Sequence, residues 1–232
     1  LGQMSNFERI YASPGWKLDH PLFLSGVEVV GEVDFAWEMA ELRAKRFGQP
    51  APLWLAVTGT NGKTTTTELI DAMLTGCGKR SLAAGNIGYA FSEAVAGSAG
   101  LDALVLEVSS FQLETIRFFR PAVAVLLNIT PDHLDRHHTM ADYARAKARI
   151  FENQQPFDWA IVQTEALAML RTQGVEVPAK LITFSAQNRR ADIYLDRSLI
   201  ISSIEGWVGP LIDLEKTQMR GPHNAENVMA VL

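Results

Sequence analysis

A single cysteine, Cys77, occurs in the 232 residues, so no internal disulfide can form and a reducing, cytoplasmic setting is expected. Cationic runs are scarce: none exceeds Arg189-Arg190, and the formal charge is −5 with a pI near 5.6. A nucleic-acid partner is therefore not expected, because such binding needs a basic face. Also missing is any apolar run long enough to span a membrane, so no membrane partner is predicted, nor is a leader peptide. Internal repeats and low-complexity tracts are absent, and Leu rather than Met at position 1 predicts a trimmed chain.

What the chain has is apolar content, 47%, enough for a large core. It also has one junction around which the rest can be arranged: LWLAVTGTNGKTTTTEL, Leu53 to Leu69. A β-rich run meets the turn Gly59-Thr60-Asn61-Gly62, then Lys63 and the threonines Thr64 to Thr67, which open a predicted helix. Amides of such a turn converge on an anion, the helix N-terminus adds its positive end, and Lys63 supplies a point charge to the outer phosphates. Thr64 is placed to ligate the Mg²⁺ that travels with a nucleotide. The widespread phosphate-loop pattern has glycine five residues before its Gly-Lys pair; Val57 stands there, leaving the shorter form G-T-N-G-K-T. On the residues alone, a glycine-rich turn with an exposed lysine stays open as an alternative.

From Leu53 the pattern alternates. Strands are predicted at 53–58, 80–84, 103–108, 123–128, 159–163 and 180–184, with helices at 63–75, 88–97, 111–118, 139–153 and 165–173. Such alternation means crossovers and an α/β fold, a mostly parallel sheet with helices on both faces. Ligands then gather outside the carboxyl ends of the strands. Three β-like pieces at 193–195, 199–204 and 207–214 predict a small antiparallel appendage. Ahead of the junction, a strand at 27–30, a helix at 35–47 and the linker Gly48 to Pro52 read as the end of another unit, giving domains 1–50 and 51–232.

Several polar groups fall on that ligand-binding edge. Glu107 ends an apolar strand and is a natural hard-oxygen ligand for Mg²⁺, or it simply precedes a helix capped by Ser109 or Ser110. In Asn128-Ile129-Thr130-Pro131-Asp132-His133, Thr130 suits an N-cap and Pro131 the first helical position, which would put Asp132 and His133 in the first turn. His133 and His137 have the spacing of a zinc pair, although hard oxygens nearby favour magnesium. His137 and His138 taken singly read as solvated. By composition Arg145, Lys147 and Arg149 read as a solvated helix face. Gly85-Asn86-Ile87-Gly88 is a turn. Asn224 and Asn227 share a face at a polar helix start, where amides could read a base edge or merely cap.

Six segments in order, GTNGKTTTT, GNIG, LEVSSFQLE, LNITPDHLDRH, YARAKARIF and GPHNAENV, resemble the Mur ligases of peptidoglycan synthesis. Within the family the form S-S-F-Q-L-E points to the D-glutamate-adding member, since the diaminopimelate- or lysine-adding members tend to carry S-S-H. The related folylpolyglutamate synthetases usually have G-K-G-S. The resemblance implies an ATP-dependent acid–amino acid ligase of three domains. Here 1–50 would end the Rossmann-like N-terminal, UDP-substrate domain, 51–232 would be the central ATP-binding domain, and the C-terminal domain would lie beyond Leu232. Its substrates would be UDP-N-acetylmuramoyl-L-alanine, D-glutamate and ATP, and the enzyme would be a cytoplasmic monomer.

The implied roles follow by position. Gly59, Thr60, Asn61, Gly62, Lys63, Thr64 and Thr65 would hold the ATP phosphates, with Asn224 and Asn227 on adenine. Thr64 and Glu107 would ligate one Mg²⁺; His133 would share a second with Lys147, which the family carries carbamylated. That makes Lys63, Lys147 and His133 the catalytic group. Asn86, Ser109 and Asp132 would meet the substrate, with Asp132 and Tyr143 supporting the carbamate. Two rivals remain: another Mur or folylpolyglutamate-type ligase, and a nucleotide-binding module that ligates nothing.

Overall fold

The computed structural model describes residues 7–48, 50–219 and 221–232. Two short parallel strands come first, β1 (Arg9–Ala12), which the sequence pattern does not predict, and β2 (Glu28–Gly31). They lead into α1 (Glu32–Phe47), whose acidic first turn and basic last turn suit the helix dipole, and Gly48 stops it in the left-handed region at φ 61°. Although α1 falls within the predicted unit 1–50, its Val33, Ala36 and Ala40 share one apolar core with the main sheet. Asp34, buried, accepts the N–H groups of Arg117 at 2.5 Å, Phe118 at 3.2 Å and Phe119 at 3.0 Å. Burial raises the pKa of this carboxyl, and the three amides oppose that shift. We expect Asp34→Ala to strand those amides and to cost about 3 kcal/mol in urea unfolding; a loss near zero would mean that the amides find other acceptors.

The main unit follows as β3 (Leu53–Thr58), α2 (Lys63–Gly76), β4 (Ser81–Gly85), α3 (Phe91–Ala96), β5 (Ala103–Glu107), α4 (Ser110–Leu113), β6 (Val123–Leu126) and α5 (Leu134–His137). It continues through α6 (Met140–Ala148), β7 (Trp159–Gln163), α7 (Thr164–Thr172), β8 (Lys180–Ser185), β9 (Ile193–Asp196), β10 (Leu199–Ser202), β11 (Gly209–Asp213) and α8 (Pro222–Met229). These strands form one sheet in the order β11-β10-β9-β8-β7-β6-β3-β5-β4. From β4 to β9 all neighbours are parallel.

Alternation explains the layers. Trp54, Ala56, Leu104, Leu106, Ala124 and Leu126 join a core with α1, α3, α6 and α7, whereas Val57, Val105 and Val125 join a second core with α2 and α8. Both faces are covered, which is why these strands read as unbroken apolar runs.

Three expectations change. The β9–β11 pieces are antiparallel to one another, yet they prolong the main sheet through the parallel β8–β9 pairing, because Ile193, Ile200 and Leu214 complete the core that holds Phe184. The helix predicted at 111–118 ends at Leu113, since the amides of 117–119 that would extend it are taken by Asp34. The helix predicted from residue 88 starts only at Phe91, because residues 85–89 close a turn with Gly85 N–H on the Tyr89 carbonyl at 2.8 Å.

Central β3 lies between β5 and β6, and its connection runs toward β4 while that of β6 runs toward β7. The chain direction therefore switches between β3 and β6. A crevice opens at such a point, outside the carboxyl ends of the strands.

Candidate functional site

The loop after β3 and the loop after β6 meet at this switch point. A Cβ on Gly59 would lie 2.9 Å from the Cβ of Leu127, and the Thr60 N–H donates to the Asn128 carbonyl at 3.0 Å. Asn128 also grips the loop with its side chain. Its Oδ1 accepts from Thr60 N–H at 3.1 Å and Asn61 N–H at 2.9 Å, and its Nδ2 donates to the Asn61 carbonyl at 3.0 Å. The first helical bond of α2 runs from Thr66 N–H to the Gly62 carbonyl at 2.9 Å. The amides of Gly62, Lys63, Thr64 and Thr65 therefore have no acceptor within the helix and are available to an anion. Of the seven loop residues predicted to hold phosphate, these four carry free-turn amides, while those of Thr60 and Asn61 are held by Asn128.

Sequence reasoning gave Asn128 no role; its only signal is an amide at the carboxyl end of a strand beside the phosphate loop. We expect Asn128→Ala to raise the Kd for Mg²⁺·ATP about tenfold while leaving the melting temperature within a few degrees. Calorimetry checks this, and an unchanged Kd would show that the loop holds its shape alone.

Gly62 sits at φ 83°, in the left-handed region, and a Cβ there would lie 2.3 Å from Asn227 Oδ1. Asn227, on α8 and mostly buried, thus lies against the phosphate loop, and Asn224 lies one turn before it. Both residues predicted for adenine are therefore on the helix beside the loop.

Glu107, 2% exposed at the tip of β5, accepts the Thr64 hydroxyl on Oε2 at 2.7 Å and the Asn86 amide on Oε1 at 2.9 Å. Capping of the next helix is done by Ser109, whose hydroxyl accepts from Gln112 N–H at 3.2 Å while Gln112 Oε1 accepts from Ser109 N–H at 2.9 Å. Glu107 is thus left to the site, and Ser109, predicted to touch substrate, has its hydroxyl in a capping box. The carboxylate and hydroxyl suit a hard cation that takes its remaining ligands from phosphate oxygens, as Mg²⁺ does. Among the described residues no group of three or more His, Cys, Asp and Glu gathers as an all-protein metal cage.

Two lysines face the same loop. Lys63 Nζ donates to the Thr60 carbonyl at 2.8 Å, and Lys147 Nζ donates to the Gly59 carbonyl at 2.8 Å. Lys147 is 2% exposed, which overturns its composition-based place on a solvated face. Burial, and then the nearby Lys63 charge, pull its pKa down to about 7, against the attraction of Asp132 and Glu107. Burial likewise lowers Lys63, opposed by Glu107 and Asp132. Tyr143 joins these groups: its ring lies 4.6 Å from Lys147 Nζ, and its hydroxyl is 3.2 Å from the Thr60 hydroxyl.

His133 and Asp132 occupy the same edge but not a helical turn. The helix begins at Leu134, with His133 before it at φ 50° and its N–H on Asp132 Oδ1 at 2.8 Å. Thr130 does not cap this helix, which begins four residues further on behind His133; its N–H and carbonyl are bonded instead to the Thr60 hydroxyl at 3.0 and 3.2 Å. His133 is exposed, with its ring 6.4 Å from that of Tyr143. His137, expected to be solvated, is buried, with Nε2 3.0 Å from the Ser110 hydroxyl and Nδ1 3.4 Å from Glu114. That commitment removes it from a zinc pair with His133. His138 is exposed, as the sequence suggests.

A cavity of about 600 Å³ lies elsewhere, lined by Leu195, Arg197, Ser198, Leu214, Glu215, Gly221 and Pro222. None of the residues Gly59 to Thr65 lines it.

A strand, a glycine loop with four free amides, a lysine and a helix at the switch point of a parallel sheet define a phosphate-loop α/β domain. Residues 57–232 match the Mur ligase middle domain, and the chain belongs to the Mur ligase family. UDP-N-acetylmuramoylalanine--D-glutamate ligases of Alkaliphilus oremlandii and Desulfitobacterium hafniense are similar to it, at 36% identity over 226 residues and 41% over 226 residues. The alignments take in 95% and 97% of this chain but 47% and 48% of those relatives, so the chain spans about half their length. Among solved structures, UDP-N-acetylmuramoyl-L-alanyl-D-glutamate--2,6-diaminopimelate ligase aligns at TM-score 0.67 and 22% identity, covering 96% of this chain and 55% of that one. The MurF ligase from Thermotoga maritima in complex with ADP aligns at TM-score 0.60 and 19% identity, over 91% of this chain and 54% of that one. These two likenesses show the shared fold.

Proposed function

We propose that the chain is the ATP-handling part of a ligase that joins D-glutamate to UDP-N-acetylmuramoyl-L-alanine. The observation that carries this reading is the gathering of Lys63, Thr64 and Lys147 at one loop, with Glu107 bonded to Thr64 and Asn86 bonded in turn to Glu107. It is supported by relatives named for that reaction and by a fold neighbour in complex with ADP.

In the reaction, an oxygen of the alanyl carboxylate attacks the γ-phosphorus of ATP, the bond to the β-γ bridging oxygen breaks, and an acyl phosphate and ADP form. The amine of D-glutamate then attacks the acyl carbon, loses a proton, and inorganic phosphate leaves. The amides of Gly62 to Thr65 and the Lys63 ammonium hold the triphosphate, reducing its repulsion of the incoming carboxylate. Asn224 and Asn227 orient adenine, while Asn86 and Asp132 line the substrate side, the Ser109 hydroxyl being engaged in capping α4. Thr64 and Glu107 would hold one Mg²⁺, whose charge offsets that building up on the phosphoryl oxygens. Unmodified, Lys147 offers a cation or amine rather than an oxygen ligand. A carbamate on its Nζ, supported by Tyr143 and Asp132, would give the second site that His133 shares.

The test is ADP release by the full-length gene product with UDP-N-acetylmuramoyl-L-alanine and each amino acid in turn. D-Glutamate should support turnover, while L-lysine and diaminopimelate should not; turnover with either of those alone would reassign the substrate. For the 232 residues by themselves, spanning 47–49% of the relatives compared, the expected behaviour is ATP binding without ligation. Calorimetry with Mg²⁺·ATP beside an assay for amide product separates the two.

A further inference from the structure

One buried ion pair outside the phosphate loop reaches two parts of the chain at once. Arg136, on α5, and Glu114, just after α4, have side chains 8% and 13% exposed and approach to 2.6 Å. Arg136 Nε also donates to Glu114 Oε2 at 3.0 Å, so the contact is two-pronged. The rest of the guanidinium turns to the N-terminal segment. Nη2 donates to the Trp16 carbonyl at 2.8 Å and Nη1 to the Gly15 carbonyl at 3.3 Å.

This anchor sits close to the site. Its guanidinium carbon lies 4.3 Å over the Phe111 ring, and that ring lies 4.9 Å from His133. Glu114 faces His137, which is bonded to Ser110, next to the capping residue Ser109. Beside the pair is a cavity of about 270 Å³, walled on one side by Lys17, Leu18 and Asp19 and on the other by Glu114, Arg136 and His138.

A buried Arg–Glu pair is a weak stabiliser, since desolvation offsets much of its attraction. A planar fork that fixes two successive carbonyls of a distant segment is, however, well suited to setting a distance. We propose that Arg136 is a positioning residue: it registers the 13–20 loop against the short helix that follows His133, so that a UDP-linked substrate seated along that loop presents its carboxylate at a fixed distance from the phosphate loop. The inference rests on the ligase reading above both for the identity of that substrate and for its place along the N-terminal segment.

Arg136→Lys and Arg136→Ala in the full-length gene product test it. Lysine keeps a cation on Glu114 but has no fork to reach both carbonyls. Its KM for UDP-N-acetylmuramoyl-L-alanine should rise about tenfold and that for ATP stay within about twofold; alanine should do more. An unchanged KM for the UDP substrate, or an equal rise in both, overturns the proposal. Should the alanine variant fail to fold, the lysine variant and Glu114→Gln decide by the same split.

Hydrogen exchange reads the clamp without any turnover. Amides of residues 13–20 should exchange about tenfold faster in Arg136→Lys than in the unmodified protein, with those of β5 unchanged. Equal rates in the 13–20 loop would refute the clamp. If the unmodified protein makes no amide product, the ligase reading falls, and the exchange comparison still decides whether Arg136 holds the loop.

Discussion

Lys63→Ala is expected to lower kcat/KM for ATP in the full-length gene product by about 10²–10³-fold, the equivalent of roughly 3–4 kcal/mol of transition-state stabilisation. Lys63 is the cation of the loop itself, its Nζ already lying 2.8 Å from the Thr60 carbonyl. Removing it leaves the amides of Gly62 to Thr65 but not the point charge that offsets the triphosphate. Lys63→Arg should not restore the rate, because a planar fork cannot occupy the place of a compact ammonium. Stability should change little, since the side chain is only half-buried. ADP release assays and thermal melts together check the prediction, and a loss of less than about threefold would remove Lys63 from the chemistry.

A second large effect belongs to Lys147. With its pKa lowered to about 7, the neutral amine that can attack CO₂ grows from about one tenth of the population at pH 6 to about nine tenths at pH 8. A ¹³C carbamate signal from labelled bicarbonate should therefore rise over that interval, and vanish in Lys147→Arg. Activity of Lys147→Ala should fall about 10²-fold or more, with no recovery on adding bicarbonate. The sign for stability follows from the same shift. Between about pH 7 and the ordinary lysine value of 10.5, the unfolded chain binds a proton at this position that the folded chain does not, so the metal-free protein gains stability as pH rises. Lys147→Met should flatten that slope. A carbamate signal independent of pH, or present in Lys147→Arg, would contradict the assignment.

Much of this was legible because the relevant signals are local. Doubly buried strands announce themselves as apolar runs such as ALVL before Glu107, and the loop residues Gly59 to Thr65 are contiguous. The capping of α4 by Ser109 is equally local, since Gln112 is three residues on. What the sequence hides depends on partners far along the chain. Arg145, Lys147 and Arg149 alternate with alanines, and nothing in that pattern tells which way α6 rolls; the contact with Gly59, 88 residues earlier, decides it. The early end of α4 comes from Asp34, which takes the Arg117 amide from 83 residues away. His137 reads as solvated until Glu114 and Ser110 are seen to enclose it. Asn128 has no motif of its own; its meaning lies in two amides of the neighbouring loop.

The central claim, amide formation through a phosphorylated carboxylate, is tested most directly by isotope transfer. UDP-N-acetylmuramoyl-L-alanine labelled with ¹⁸O in both carboxylate oxygens, incubated with ATP and D-glutamate and the full-length gene product, should yield inorganic phosphate carrying one ¹⁸O for each amide formed. Unlabelled phosphate, or phosphate release that needs no alanyl carboxylate, would contradict it.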